Sequence, residues 1–396
     1  MPRVQHQDVQ DRRLTHSVST TKGRAGVSGA PFPCPATLGP ATVGPGRSPS
    51  AVRIRIVEHV AERPVLAIDL GGTQIRAALV TPDLEVHGRR AIETDDERGV
   101  DSVVERICEL ASAVRTETTQ QGLPTPIGIG ISSPGPLDPW RGVVLAPPNL
   151  AGWRDVPLAP AVEEALALPT FLERDTNVAV VAEWRYGAAR GTRSAVYITV
   201  STGIGGGIVS DGRPIIGPDG TAGEVGHMTV EIDGPPCACG GVGHLEAIAS
   251  GTALAKAARD LLDTNAAPIL AALAAGGEEV DARLLARAAD EGDAACAEVL
   301  ERAWLAIGAG CASLVNLLNP EVIVIGGSIA AHRPRLFEVA RAEIVRRAFD
   351  VPARRVRVVH PKLGDDVSLI GALPIVNERM NDPVYARTSV TREATA

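Results

Sequence analysis

The chain has 396 residues, 45% of them hydrophobic and 22% charged. That is enough apolar sequence for two ordinary cores or one bilobal α/β protein, and it excludes a wholly disordered or collagen-like chain. With 47 acidic against 39 basic residues the net charge is −8, so the overall field repels phosphate polymers and argues against a general nucleic-acid binder.

In chain order, the first 62 residues are expected to be a disordered extension, because residues 15–50 are dense in Gly, Pro, Ser, Thr and Ala without a helical or strand period. Its basic residues outnumber its acids, which fits a weak anion-binding tail or an extension without function. Order is expected from Val65. Residues 65–70 and 76–80 read as strands of a hairpin around Asp69-Leu70-Gly71-Gly72-Thr73. Residues 100–115 carry the apolar stripe of a core-facing helix. Residues 127–131 form a short buried strand that ends in Ser132-Ser133-Pro134-Gly135-Pro136. A helix is expected from Thr176 to about Tyr186, with Asp175 as its N-cap. A second glycine hairpin follows, with strands at 195–200 and 208–209 around Ser201–Gly207. Beyond Ala247 the sequence predicts long helices, then a strand at 322–325 ending in Gly326-Gly327-Ser328, and a last helix from about Ser368. Two glycine hairpins of one style suggest a duplicated fold whose halves face each other across a cleft.

These turns carry recognisable chemistry. Glycines let backbone N–H groups approach a phosphate, Thr73 adds a hydroxyl, and Asp69 can hold Mg²⁺ directly or through water. With Thr202, Gly203, Gly205 and Gly206 on the second loop and Gly326 and Gly327 on a third, the turns can enclose one nucleotide. The GxxxxGK[ST] pattern is absent, as is a GxGxxG run with a crossover helix, which disfavours P-loop and Rossmann readings. Of the cysteines Cys34, Cys108, Cys237, Cys239, Cys296 and Cys311, only Cys237 and Cys239 fall close together, so no disulfide framework is expected. Those two with His227 and His244 suit a tetrahedral structural Zn²⁺, the alternative being a metal-free loop with buried thiols. No apolar run reaches about 18 residues and no secretory pattern is evident, so a cytoplasmic protein without membrane contact is expected.

Taken together, Asp69-Leu70-Gly71-Gly72-Thr73, Pro148-Asn149-Leu150 with Trp153, Glu173-Arg174-Asp175-Thr176-Asn177, the run Thr202–Gly207, Glu224-Val225-Gly226-His227 and the run Cys237–Glu246 resemble the ROK family of sugar kinases and repressors, and within it the bacterial glucokinases. The resemblance covers about residues 65–376. It implies an α/β, bilobal actin-like fold of the ribonuclease H type with a cleft between two lobes: residues 63–174 plus 364–380 as the small N-terminal lobe, 175–363 as the large C-terminal lobe, and 381–396 as a flexible tail. It also implies ATP- and Mg²⁺-dependent phosphorylation of a hexose such as glucose at the 6-hydroxyl, in a homodimer or tetramer.

Carried over residue by residue, Asp175 matches the general base. Gly135, Asn149, Arg174, Glu224, His227 and Glu246, with Asp175 itself, line the sugar. Three positions depart from the family pattern. His244 stands where a third cysteine is usual, and imidazole can serve zinc as well as thiolate. Gln74 replaces a frequent Lys. Arg174 replaces an Asn that usually contacts the sugar; its guanidinium is expected to turn outward or to pair with an acid such as Glu173 or Glu246, because an unpaired buried cation is costly. The alternatives are a kinase for another sugar such as an N-acetylhexosamine, a donor other than ATP such as polyphosphate, and a ROK-type regulator. The regulator needs a helix-turn-helix that residues 1–60 do not suggest.

Overall fold

The computed structural model describes residues 62–385; the segment read as a disordered extension, apart from Glu62, and most of the terminal tail lie outside them. The first sheet begins with β1 (Val65–Leu70), β2 (Gln74–Val80) and β3 (Val86–Glu93), an antiparallel meander. Helix α1 (Val100–Gln120) then crosses to β4 (Ile129–Ser133), which pairs parallel with β1. A small hairpin of β5 (Leu137–Asp138) and β6 (Val143–Val144) and helix α2 (Leu158–Leu166) lead to β7 (Thr170–Arg174), parallel to β4.

Helix α3 (Asp175–Arg185) follows β7 without a break, and the pattern repeats. β8 (Ala195–Val200), β9 (Ile204–Ser210) and β10 (Arg213–Pro214) form a second meander. Helices α4 (Leu245–Ala249), α5 (Gly251–Asp263), α6 (Pro268–Ala275), α7 (Ala282–Asp290) and α8 (Ala294–Leu318) come next. β11 (Val322–Gly326) then adds parallel to β8, α9 (Pro334–Arg347) and α10 (Asp350–Arg355) follow, and β12 (Arg357–Val359) closes the sheet. Helix α11 (Val367–Arg379) returns to the first half. The sheet orders, β3-β2-β1-β4-β7 and β10-β9-β8-β11-β12, are the same arrangement twice, which is the duplication that the two glycine hairpins suggest.

Strand alternation distributes the cores. In β1, Leu66, Ile68 and Leu70 join Val103, Ile107 and Val114 of α1, while Val65 and Ala67 face a central core with Val178 and Val181 of α3 and Leu369 and Leu373 of α11. In β8 the same period sends Val196, Ile198 and Val200 to the helices of the second half, and Ala195 and Tyr197 to the central core. Each half therefore has a private core, and α3 and α11 share the third between them. Small residues let α11 approach both α3 and the first sheet: a Cβ on Gly371 would lie 2.5 Å from Val178 Cγ1 of α3, and one on Gly130 of β4 would lie 2.7 Å from Ala372 Cβ of α11. Buried Glu183 of α3 pins the crossover, accepting Lys362 N at 2.8 Å, Leu363 N at 2.9 Å and Ala188 N at 2.6 Å.

Several boundaries differ from expectation for physical reasons. Helix α1 runs to Gln120 rather than ending near residue 115, because Thr118 is buried against Gly88 of β3 and ties the added turn to the sheet; the hydroxyls of Thr116, Thr118 and Thr119 are satisfied by carbonyls four residues back. The strand expected at 127–131 lies at Ile129–Ser133, and β9 starts at Ile204, inside the glycine run rather than after it. Asp175 is the first residue of α3 and not its cap; Arg174, in extended conformation, holds the cap position without a side-chain bond.

Candidate functional site

The site is built where strands end at the junction of the two halves. At the end of β7 the backbone passes straight into α3, which places Asp175 at the helix N-terminus, where unpaired N–H groups favour an anion. Its Oδ1 accepts Thr176 N at 2.7 Å. Burial pushes the Asp175 carboxyl up to about 6; the negative charges of Asp69 and Glu224 push the same way, against the Thr176 N–H and the Arg174 cation.

Asp69, at the end of β1, is drawn to Arg76, which faces it across the hairpin and bonds Oδ2 through Nη2 at 2.6 Å and Nε at 3.1 Å. Gly71 N returns to Gln74 O at 2.9 Å, and a Cβ on Gly72 would lie 3.0 Å from Asn149 O, so the first glycine turn rests on the segment that carries Asn149. Gly71, Gly72 and Thr73 are partly or fully exposed.

In the second hairpin only Ser201–Gly203 form the turn, with Ser201 N bonded to Gly203 O at 2.9 Å. Thr202 O accepts from Thr252 at the start of α5, and Glu246 Oε2 accepts Ile204 N at 2.8 Å, so Glu246 braces this turn. Gly205, Gly206 and Gly207 lie within β9. Cβ atoms there would stand 2.7 Å from Thr176 Cγ2, 2.6 Å from Val225 Cγ2 and 2.3 Å from Thr176 O, respectively. The third turn, Gly326-Gly327-Ser328, joins the second through Ser328 Oγ and Ser201 Oγ at 3.0 Å. Gly327 has φ +95° and Val200 O only 2.3 Å from where a Cβ would sit, so no other residue fits there.

Arg174 turns inward. Its guanidinium is paired with Glu224, an acid the sequence did not single out as its partner, and it also donates to Gly206 O at 2.9 Å, Ala222 O at 2.5 Å and Asn177 Oδ1 at 3.3 Å. Glu173 has a different partner, Arg379 of α11, and accepts Arg174 N at 2.8 Å and Asn177 Nδ2 at 2.9 Å. Gly135 covers the Arg174 stem, with 3.1 Å between a notional Cβ and Arg174 Cδ.

His227, Cys237, Cys239 and His244 converge, each offering one ligand atom within 4.8 Å of every other. Cys237 Sγ lies 3.8 Å from His227 Nδ1, and Cys239 Sγ lies 3.2 Å from His244 Nδ1. Zn–S near 2.3 Å and Zn–N near 2.0 Å in a tetrahedron give ligand edges of about 3.5 Å, so this donor set fits the ion. Gly241 lies against the His244 ring, with Cε1 2.2 Å from a notional Cβ, and Gly240 and Gly243 have φ of +94° and +66°. The fold of the loop around its donors thus depends on glycine.

Arg76 and Arg379 were not read from the sequence as site residues, and Asn177 was read only as part of the Glu173–Asn177 motif, without a role. Arg76 had a usable signal, since a four-residue turn of Gly71–Gln74 puts it opposite Asp69.

The sequence profile of the ROK family matches residues 65–379. A glucokinase from Thermotoga maritima is 34% identical over 316 residues, which is 80% of this chain and 98% of that protein. An N-acetylmannosamine kinase from Citrobacter koseri is 39% identical over 224 residues, 57% of this chain and 74% of that protein. A crystal structure of a ROK family glucokinase from Streptomyces griseus, in complex with glucose and AMPPNP, matches with a TM-score of 0.67 at 28% identity and covers 80% of this chain and 99% of that one. Two like sheets flanking paired helices, with glycine turns at the junction, define the bilobal actin-like fold of the sugar kinases. The chain belongs to the ROK family.

Proposed function

We propose that this protein, a hexose kinase by its family and its relatives, phosphorylates glucose at the 6-hydroxyl with ATP, and that Asp175 is the general base. The observation that carries this reading is the placement of Asp175. It is a carboxylate at a helix N-terminus, beside two glycine turns, with its pKa raised to about 6 by burial and by Asp69 and Glu224. At neutral pH such a group is mostly ionised yet basic enough to take a hydroxyl proton. Asp69 and the backbone around Gly71, Gly72, Thr73, Thr202, Gly203, Gly205, Gly206, Gly326 and Gly327 form the nucleotide side. Mg²⁺ held near Asp69 would neutralise phosphate charge during transfer. Gly135, Asn149, Glu224, His227 and Glu246 form the sugar side, with Arg174 behind them. The lobes divide at Arg174–Asp175 and again near Gly364.

The cluster of His227, Cys237, Cys239 and His244 is read as a structural zinc site that holds the segment between Glu224 and Glu246 in shape. His227 has two ring nitrogens, so Nδ1 can face the metal while Nε2 meets the sugar. About one Zn²⁺ per chain is expected by elemental analysis, lost in Cys239→Ala and kept in His244→Cys; zinc-free protein with unimpaired folding would contradict the site. A cytoplasmic homodimer or tetramer belongs to the same proposal. Among the described residues no helix is long and apolar enough to cross a membrane.

A second reading, an N-acetylhexosamine kinase, is favoured by the Citrobacter koseri relative. A coupled assay with ATP or polyphosphate over glucose, mannose, N-acetylglucosamine and N-acetylmannosamine separates the two. The highest kcat/KM is expected for glucose with ATP. A faster N-acetylhexosamine would establish the second reading, and no transfer to any of these sugars would overturn both.

A further inference from the structure

Arg174 ends β7 in the first half of the molecule, yet its guanidinium is bonded mainly to the second half. Its side chain is 4% exposed, so the cation is held by protein acceptors rather than water. Nη2 carries two hydrogens and already faces Gly206 O, Ala222 O and Asn177 Oδ1. Nη1 donates to Glu224 Oε1. The loop folds tightly around this group: Gly223 has φ +88°, and a Cβ there would lie 3.2 Å from Nη2. From behind, Arg379, Glu173 and Asn177 fix the Arg174 backbone. The Glu224 side chain is 37% exposed with only Oε1 engaged, so Oε2 is open as an acceptor.

We propose that Arg174 is a positioning residue for the sugar: it does not bond the hexose itself but fixes the orientation of the Glu224 carboxylate, which then meets one sugar hydroxyl with a preset acceptor. The proposal rests on the reading of this cleft as a hexose site. A free Glu side chain would have to be ordered when sugar binds, and a carboxylate already held through one oxygen by a cation fixed in a buried frame does not. The effect therefore falls on sugar binding rather than on phosphoryl transfer.

The test uses the full-length protein, the hexose it turns over best, and that sugar's monodeoxy analogues. In Arg174→Gln, KM for the hexose should rise by about tenfold or more with kcat within about threefold. Glu224→Gln should do the same, and the double variant should be no weaker than the worse single. The analogue whose KM is insensitive to Glu224→Gln should also be insensitive to Arg174→Gln. Arg174→Lys, which keeps the charge but not the fork, should recover part of the loss; if Arg174→Gln does not fold, the Lys variant shows the same selectivity for hydroxyls at smaller size. An equal rise in KM for every analogue, losses that multiply in the double variant, or a fall in kcat with KM unchanged would overturn the proposal. A wrong sugar shows in the wild-type panel, and a wrong role for Arg174 only in the variants.

Discussion

The two glycine hairpins share strand order and pairing, but their glycines answer different needs. In the first, Gly71 and Gly72 occupy the turn itself, exposed at the cleft, with backbone oxygens of Gln74 and Asn149 at 3.0 Å from notional Cβ atoms. In the second, Gly205–Gly207 lie within a strand, and Thr176 of α3 and Val225 stand where side chains would be. A helix backbone can approach a strand this closely only over glycine, and the helix that does so begins with Asp175. Glycine runs of similar appearance thus serve two ends: one keeps an exposed turn bare of side chains, and the other brings the carboxylate-bearing helix against the sheet.

If that distinction is right, the largest effect should come from Gly207→Ala. Its Cβ would meet Thr176 O at 2.3 Å, a contact with backbone that cannot rotate away. A loss of about 3 kcal/mol or more in chemical denaturation is expected, with lower kcat as α3 is displaced. Unchanged stability would mean that α3 does not depend on β9 for its place.

A middle-sized effect should appear at Asp175, where the helix-bearing side holds a charge at a cost. A carboxyl raised from 3.8 to about 6 on folding favours the native state only while protonated: the contribution is full below about pH 3.8 and lost as the pH rises through about 6. Asp175→Asn keeps the acceptor for Thr176 N–H and removes the ionisation. The variant should match the wild type near pH 3.5 and exceed it by about 1–2 kcal/mol above pH 7, allowing for the partial exposure of the group. Melting curves across that range check the sign, and a variant that is weaker at pH 8 would contradict it.

The smallest change in stability is expected for Gly72→Ala in the first hairpin. The turn is exposed and the nearest contact, 3.0 Å to Asn149 O, needs a shift of only a few tenths of an ångström. Stability should stay within about 1 kcal/mol of the wild type, while KM for ATP rises. A loss as large as that of Gly207→Ala would erase the contrast between the hairpins.

How far these features could be read from the sequence follows from the range of the interactions that set them. Hairpin β1–β2, helix α1 and strand β8 show their period within a few residues: β1 and β8 lie where the sequence places them, while β2 starts earlier, at Gln74, and α1 ends later, at Gln120. The start of β9 at Ile204, ahead of Gly205–Gly207, was hidden, since those glycines meet Thr176 and Val225, which only folding brings against them. Strand β12 has only three residues, Arg357–Val359, and is ordered by β11 rather than by its own pattern. At the site, Asp69, Asp175 and the four metal-type ligands were legible as motifs. The pairing of Glu173 with Arg379 and of Arg174 with Glu224 was not, because each joins segments that only tertiary folding brings together. The expectation of Arg174 paired to an acid was correct in kind, and the acid is Glu224 because loop 222–224 closes over the end of β7.

The most direct test of the account is steady-state phosphorylation of glucose by wild-type protein and Asp175→Asn, together with glucose binding by calorimetry. If Asp175 takes the 6-hydroxyl proton, the variant should lose at least about 10²-fold in kcat and bind glucose with little change in affinity, and the wild-type kcat/KM should fall on acidification through about pH 6. Near-normal turnover by Asp175→Asn, with glucose still bound, would contradict the assignment of the base.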